Sequence, residues 1–366
     1  MTTLDYSAIR DRRMRTQRLL GEPFGSPTDV VDHLTAVQAQ DYHGAKWGIA
    51  QRTFGSTSAQ IDHLFNTGAL LRTHILRPTW HFVRPTDIRW LLGLSGPRVH
   101  VANAHYYRTF ELDDETLRRS ATLLAASLAG EGYLTRREVR QILERGGVIA
   151  SGPRLGYILM HAELEGLICS GPLRGKQHSY ALLDERVPLV TPIERDEALA
   201  RLTTRYFESH GPATAHDFSW WSGLTVSDVK RGIEQIQSLL LSADIDGSTF
   251  WYTALESPAR VDAEIAHLLP NYDEYLIAFK NHSAKFDQVV LQRLNREDDA
   301  IRAHVVVIDG LVVGGWQRSI SAREATVTTS LLRPISQGER SSLYAAAERF
   351  GRFLERPTIF DLTPAA

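Results

Sequence analysis

Three times in succession this chain runs through short helical stretches into a tight hairpin, and that recurrence limits the architectures open to it. The middle occurrence is the clearest. Residues 116–129 read as an apolar helix, and Leu134-Thr135-Arg136-Arg137-Glu138 is a capping box: the Thr135 oxygen can take an orphan N–H while Glu138 reaches back. Val139, Ile142 and Leu143 then face inward, Gly146-Gly147 breaks the run, and Tyr157–Leu164 forms the next helix. Leu167–Ser170 and His178–Leu182 pair around a basic tip that carries Arg174 and Lys176. Helix, helix, basic-tipped hairpin is the order of a winged helix.

The flanking stretches repeat it. Residues 5–20 predict a helix whose arginines, Arg10, Arg12, Arg13, Arg15 and Arg18, face solvent or a phosphate backbone. Pro27-Thr28-Asp29 opens a second helix with Val30, Val31 and Leu34 inward; Ser58–Leu64 gives a third. Leu70–Leu76 and Thr79–Val83 then read as strands joined at Arg77-Pro78, and a helix follows over Ile88–Leu94. Further on, residues 195–209 are helical, Thr214 and Thr225 cap two more helices, the second reaching Leu240, and Asp246-Gly247 marks a two-residue hairpin. From about Leu268 the period shortens: His304–Ile308, a second Asp-Gly turn at Asp309-Gly310, Leu311–Trp316 and Glu324–Ser330 are strand-like, and Leu343–Leu354 is an amphipathic helix. The chain is therefore read as α+β, in four parts: 1–112, 113–190 and 191–260, each a winged helix, and 261–366, a small β-rich domain closed by a helix.

Composition narrows the function. A hydrophobic fraction of 43% fills ordinary cores, and the absence of a run of 18 apolar residues or a signal-like opening predicts a soluble, cytoplasmic protein without membrane contact. The lone cysteine, Cys169, leaves no intramolecular disulfide. No HxxxH, HxH or CxxC spacing occurs, so neither a metal nor another cofactor is expected. A net charge of −2 argues against a broadly basic nucleic-acid binder, yet arginines crowd the first hundred residues while acidic runs such as Glu297-Asp298-Asp299 lie elsewhere, which leaves room for one basic face.

The stretch most suggestive of chemistry is Val37-Gln38-Ala39-Gln40-Asp41-Tyr42-His43. Positions i and i+2 diverge on a helix but share a side in an extended segment, so Gln38 and Gln40 can act together only at a strand end or a frayed helix end.

Several stretches together resemble the AlkZ/YcaQ family of winged-helix DNA glycosylases: Val37-Gln38-Ala39-Gln40, Leu71-Arg72-Thr73 leading to Thr79-Trp80-His81-Phe82-Val83, Asp87–Leu91, Tyr272-Asp273-Glu274-Tyr275-Leu276, Lys280–Ser283 and Val307–Gly310. The resemblance implies three tandem winged helices and a C-terminal small β-barrel-like domain, C-shaped around duplex DNA. It also implies excision of alkylated bases and unhooking of interstrand crosslinks, with no cofactor. Gln38 and Gln40 match the branch whose catalytic signature is Gln-x-Gln. The chain departs from the family at Arg77-Pro78-Thr79-Trp80-His81, where Arg-Gly-Thr-Leu-His is usual, and at Lys280-Asn281-His282-Ser283, where Lys-Asp-Arg-Ser is usual.

An amide has no useful pKa, but a purine alkylated at N7 or N3 is already cationic and leaves without protonation, so holding a water and facing the developing sugar charge suffices. Gln40 is expected to position the water and Gln38 to orient it or stabilise the sugar. Asp41, His81, Tyr272 and Asp273 are cleft candidates; Arg72, Arg77, Arg174 and Lys176 are candidates for phosphate contact. The expected partner is duplex DNA bearing alkylated purines, met by a monomer. Two other classes compete: a non-catalytic winged-helix DNA-binding protein or transcriptional regulator, and a resistance protein that sequesters the alkylating compound itself.

Overall fold

The structure, a computed structural model, describes residues 4–254, 265–286, 290 and 304–363; the acidic run Glu297–Asp299 lies outside the described residues. Asp5 caps α1 (Tyr6–Thr16), and Ser26 caps α2 (Pro27–Leu34), whose first turn holds a proline that needs no N–H there. Thr35 then turns the chain sharply, at a φ of 70°, into β1 (Ala36–Gln38). After α3 (Tyr42–Ala50) and α4 (Ser58–Thr67) come β2 (Leu71–His74) and β3 (Trp80–Val83), which form an antiparallel sheet in the order β1-β3-β2.

The helix expected over Ile88–Leu94 is the start of α5 (Pro85–Thr109), 25 residues long with Pro97 inside it. Proline forfeits one helical hydrogen bond, but Leu91, Leu94 and Val99 are buried on both sides of it, and that packing carries the helix through. Next come α6 (Asp114–Leu128), β4 (Leu134–Thr135), α7 (Arg136–Arg145), α8 (Gly152–Leu164), β5 (Ile168–Ser170) and β6 (Ser179–Leu182), with strand order β4-β6-β5. The capping box at Thr135 and Glu138 closes in both directions.

A short turn, α9 (Leu183–Arg186), leads to α10 (Arg195–His210), α11 (Ala215–Ser222), α12 (Val226–Gln235) and the hairpin β7 (Leu241–Ile245) and β8 (Ser248–Tyr252). Here α12 stops at Gln235 rather than Leu240, and a 3-10 turn over Gln237–Leu239 makes the connection. Both Asp-Gly turns have left-handed backbone at both central residues, with φ of 49° and 75° at Asp246-Gly247 and 47° and 78° at Asp309-Gly310. That geometry matches the twist of the strands they join.

The C-terminal part contains β9 (Ala266–Leu269), α13 (Glu274–Ile277), β10 (Val305–Ile308), β11 (Leu311–Ile320), β12 (Ala325–Leu331), α14 (Gln337–Leu354) and β13 (Thr358–Thr363). A barrel was expected; the strands instead form an open sheet in the order β13-β12-β11-β10-β9. The cause is the crossover through α14, which returns the chain parallel to β12 and leaves β13 and β9 at opposite edges.

Two hydrophobic cores span distant parts of the chain. Trp47 and Phe65 from α3 and α4 pack with Val306, Trp316 and Phe350 of the C-terminal sheet and helix. The indoles of Trp47 and Trp316 donate to the carbonyls of Leu268 and Leu269, each at 2.7 Å, so the polar edge of each buried ring is satisfied. The second core joins Leu71 and Leu91 to Phe207 and Trp221. Each such ring contributes roughly 1.5–3 kcal/mol on burial. A third cluster lies within Leu112–Tyr180. The arginines of α1 do not all face outward: Arg13 is buried, its guanidinium over the Phe279 ring and 3.6 Å from Asp217. Among the described residues, no helix is long and apolar enough to cross a membrane.

Candidate active site

Gln38 is the last residue of β1, and antiparallel register sets it opposite His81 of β3. The strand then gives way to an extended link. Ala39 donates to the Trp80 carbonyl at 2.7 Å, Gln40 follows, and Asp41 caps α3 by accepting from the Gly44 amide at 3.0 Å. Both glutamines therefore reach the same hairpin. The Gln38 Oε1 accepts from Arg77 Nη2 at 2.8 Å, and the Gln40 Oε1 lies 3.4 Å from the Trp80 amide, a long and weak contact. Gln38 is only 8% exposed, whereas Gln40 is exposed. One carboxamide is locked and polarised; its neighbour is accessible.

The lock rests on Glu274, which the sequence placed in a conspicuous motif but did not single out. One oxygen of this buried carboxylate accepts the Gln38 main-chain N–H at 2.7 Å, and the other accepts the Trp221 indole N–H at 2.8 Å, with His210 Nε2 at 3.7 Å. Burial by itself would raise the Glu274 pKa, but the neighbouring His210 ring and the hydrogen bond from the Gln38 main-chain N–H outweigh it and hold the group below its ordinary value. Glu274 is thus an anion facing the Arg77 cation, and the pair brings no net charge to Gln38.

The remaining candidates take distinct places. His81 is fully buried; its Nδ1 donates to the Thr79 carbonyl at 2.9 Å, while burial and then the Arg77 charge pull its pKa down to about 3, so the ring is neutral. Its Nε2 is buried without a hydrogen-bond partner. Asp273 is buried in a two-pronged pair with Arg52, at 2.8 and 2.9 Å, and caps α13. Tyr272, at a φ of 61°, packs with the cluster around Met14 and Leu19. Asp41 is half-buried, 3.4 Å from the guanidinium of Arg318, another residue that sequence alone does not bring here. Gly44 lets the helix start sit close to these side chains: a Cβ there would come within 2.8 Å of Asp41 Oδ2 and 3.1 Å of Asn271 Oδ1 and would displace the capping carboxylate.

Of the four basic candidates, Arg72 is spent internally. It is 9% exposed, donates to the Ala39 carbonyl at 3.0 Å and stacks over Trp80 with 4.3 Å from its central carbon to the ring centroid. The bulkier Trp80 thus supplies the platform that holds Arg72 against the glutamine link. Arg77 is spent on Gln38. Arg174 and Lys176 are exposed at the tip between β5 and β6, Arg174 paired with Glu138 at 2.6 Å. A cavity of about 840 Å³ lies elsewhere, between α11, α12, β8 and the stretch Lys280–Ser283.

The model of the family described as DNA glycosylase AlkZ-like matches residues 31–353, so this chain belongs to the AlkZ-like DNA glycosylase family. A curated relative, an interstrand DNA cross-link repair glycosylase from Streptomyces sahachiroi, is 27% identical over 338 residues, covering 86% of this chain and 88% of the relative. The solved structure of Streptomyces sahachiroi DNA glycosylase AlkZ superposes with a TM-score of 0.79 at 21% identity, over 98% of this chain and 100% of that one, and shows the same fold.

Proposed function

We propose that this chain is a monofunctional DNA glycosylase that hydrolyses the N-glycosidic bond of cationic N7- or N3-alkylated purines in duplex DNA. Membership of the family supports the reaction class. The observation that carries the finer reading is the unequal glutamine pair: Gln40 is open to solvent beside Gln38, whose amide is fixed on both its main chain and its side chain.

In this mechanism the Gln40 oxygen accepts a hydrogen bond from a water and aims it at C1′ of the sugar. The C1′–N9 bond breaks with its electron pair passing to the purine, which neutralises the charge that alkylation placed there. The water oxygen bonds to C1′ and its proton leaves to solvent. No acid need protonate the base, which suits a site whose nearest imidazole in register, His81, is neutral and buried. Because Glu274 offsets Arg77, the site does not repel a cationic base. The arrangement of three winged helices in 1–112, 113–190 and 191–260 would wrap the duplex, with Arg174 and Lys176 contacting phosphates and fixing register. Unhooking of interstrand crosslinks follows from the same chemistry when the bridging purine is an N7 adduct, as the name of the Streptomyces sahachiroi relative suggests.

The test is incubation with an N7-methylguanine duplex followed by alkali to cleave abasic sites. Strand scission that falls at least roughly tenfold in Gln38→Ala and in Gln40→Ala, with duplex affinity kept within about twofold, supports the assignment. Wild-type binding without base release would favour a regulator. Full activity in both variants would remove the glutamines from the mechanism.

A further inference from the structure

Far along the chain from the glutamines, α5 and α8 bring together a donor set that the proposed reaction does not use. His100, His161 and Glu165 each offer a ligand atom within 4.8 Å of the others. His161 and Glu165 are four residues apart at the C-terminal end of α8, so they project from one face. The ring centroids of His100 and His161 are 4.9 Å apart.

The orientation of His100 is already fixed. Its Nδ1 meets the Tyr107 hydroxyl at 2.9 Å, which leaves Nε2 as the outward nitrogen. That nitrogen is itself buried and lies 2.9 Å from Glu165 Oε1. A hydrogen bond to the far nitrogen of a ligating histidine sets the ring's tautomer and direction, and the Tyr107 hydroxyl supplies one here. The negative end of the α8 dipole adds a field that favours a cation. A groove of about 360 Å³, lined by His100, Glu165, Arg89 and Pro97, gives access from solvent.

Two imidazoles and one carboxylate are a ligand set of zinc sites that keep a position for water. We propose that His100, His161 and Glu165 bind a divalent transition-metal ion of the zinc type, fastening α5 to α8. The location gives the brace a purpose. Glu163, on α8 between the two ligands, pairs with His74 of β2, and β2 belongs to the sheet that carries Gln38. Tying α8 to α5 would hold that sheet against its neighbour.

The experiment uses the full-length chain, stripped with chelator, and Zn²⁺ or Co²⁺ alone as probe. Calorimetry should show one equivalent bound with a dissociation constant in the micromolar range, Co²⁺ should give the intense visible bands of a low-coordinate N/O site, and saturating Zn²⁺ should raise Tm. His161→Ala and, separately, Glu165→Gln should each lower affinity at least about tenfold and abolish the Tm shift. The Glu165 side chain is 57% exposed, so its amide variant folds even if the histidine variant does not. Unchanged affinity in Glu165→Gln, or no binding at about 1 mM metal, overturns the proposal.

Discussion

Arg77 Nη2 donates to Gln38 Oε1 at 2.8 Å, so the inner carboxamide has its oxygen claimed by a half-buried guanidinium. The outer carboxamide, on Gln40, has no comparable contact; its oxygen is 3.4 Å from the Trp80 amide. The two glutamines are chemically alike but structurally unequal, and their variants should differ in kind. Arg77→Lys keeps a charge opposite Glu274 but loses the planar fork. It is expected to slow single-turnover excision about tenfold, since a hydrogen bond to a charged group is worth roughly 1.5–3 kcal/mol, while Tm changes little. Excision at the wild-type rate would show that the contact is incidental.

Gln40→Ala should be nearly silent in stability, because the side chain it removes is exposed. Gln38→Ala should cost about 1–3 kcal/mol in urea unfolding, because it removes a buried side chain and strands the half-buried Arg77 donor. Equal unfolding midpoints for the two variants would contradict the unequal pair.

Asp273 anchors the turn that presents Glu274, through its two-pronged pair with Arg52. Both side chains are at most 2% exposed, so Asp273→Asn leaves a buried guanidinium without its anion. The expected loss is about 3–5 kcal/mol by chemical denaturation, with reduced excision as a consequence. A variant as stable as wild type would mean that the turn is held by other contacts.

Acid should unfold this protein early. Burial pulls the pKa of His81, and that of His267, down to about 3. Above pH 6.5 these rings are neutral in folded and unfolded chain alike, and they add no pH dependence. Below it the unfolded chain takes up protons that the buried rings refuse, so stability falls as pH drops from about 6.5 towards 3. At pH 5 each ring costs about 2 kcal/mol relative to pH 7. Urea midpoints measured from pH 7.5 to 5 should decline accordingly, and His267→Gln should flatten the slope by about one proton; a level profile would contradict the burial of these rings.

Lys176, exposed at the β5–β6 tip, should contribute through charge alone. Lys176→Ala is expected to weaken duplex binding a few-fold, equally for all sequences, and to reduce the slope of log affinity against log salt by about 0.9. Arg72→Ala should leave that slope unchanged, because its guanidinium is held against Ala39 and Trp80. Fluorescence anisotropy across a salt series separates the two.

Local signals in the sequence were reliable where the backbone alone decides. The capping box at Thr135 and Glu138 and the two Asp-Gly turns formed as their residue types require. The spacing of the two glutamines left open a strand end or a frayed helix end, and Gln38 is the last residue of a strand. Periodicity was silent on α3, because Gly44, Lys46, Trp47, Gly48 and Ile49 are all buried and leave no polar face to mark a helix. The open C-terminal sheet was missed because β13 follows a helix and pairs in parallel, and nothing local to Thr358–Thr363 announces its partner. Glu274 was hidden for a related reason. A glutamate reads as a surface residue until the fold sets Trp221 and the Gln38 amide around it.

The bond from the Gln38 amide to Glu274 joins positions 236 residues apart. A nascent chain leaving the ribosome therefore displays its glutamines long before it has synthesised their clasp. Under the proposed mechanism, a translation product truncated before Glu274 would leave the Gln38 main chain unfixed, and cutting of glycosidic bonds in the chromosome would await synthesis of that residue.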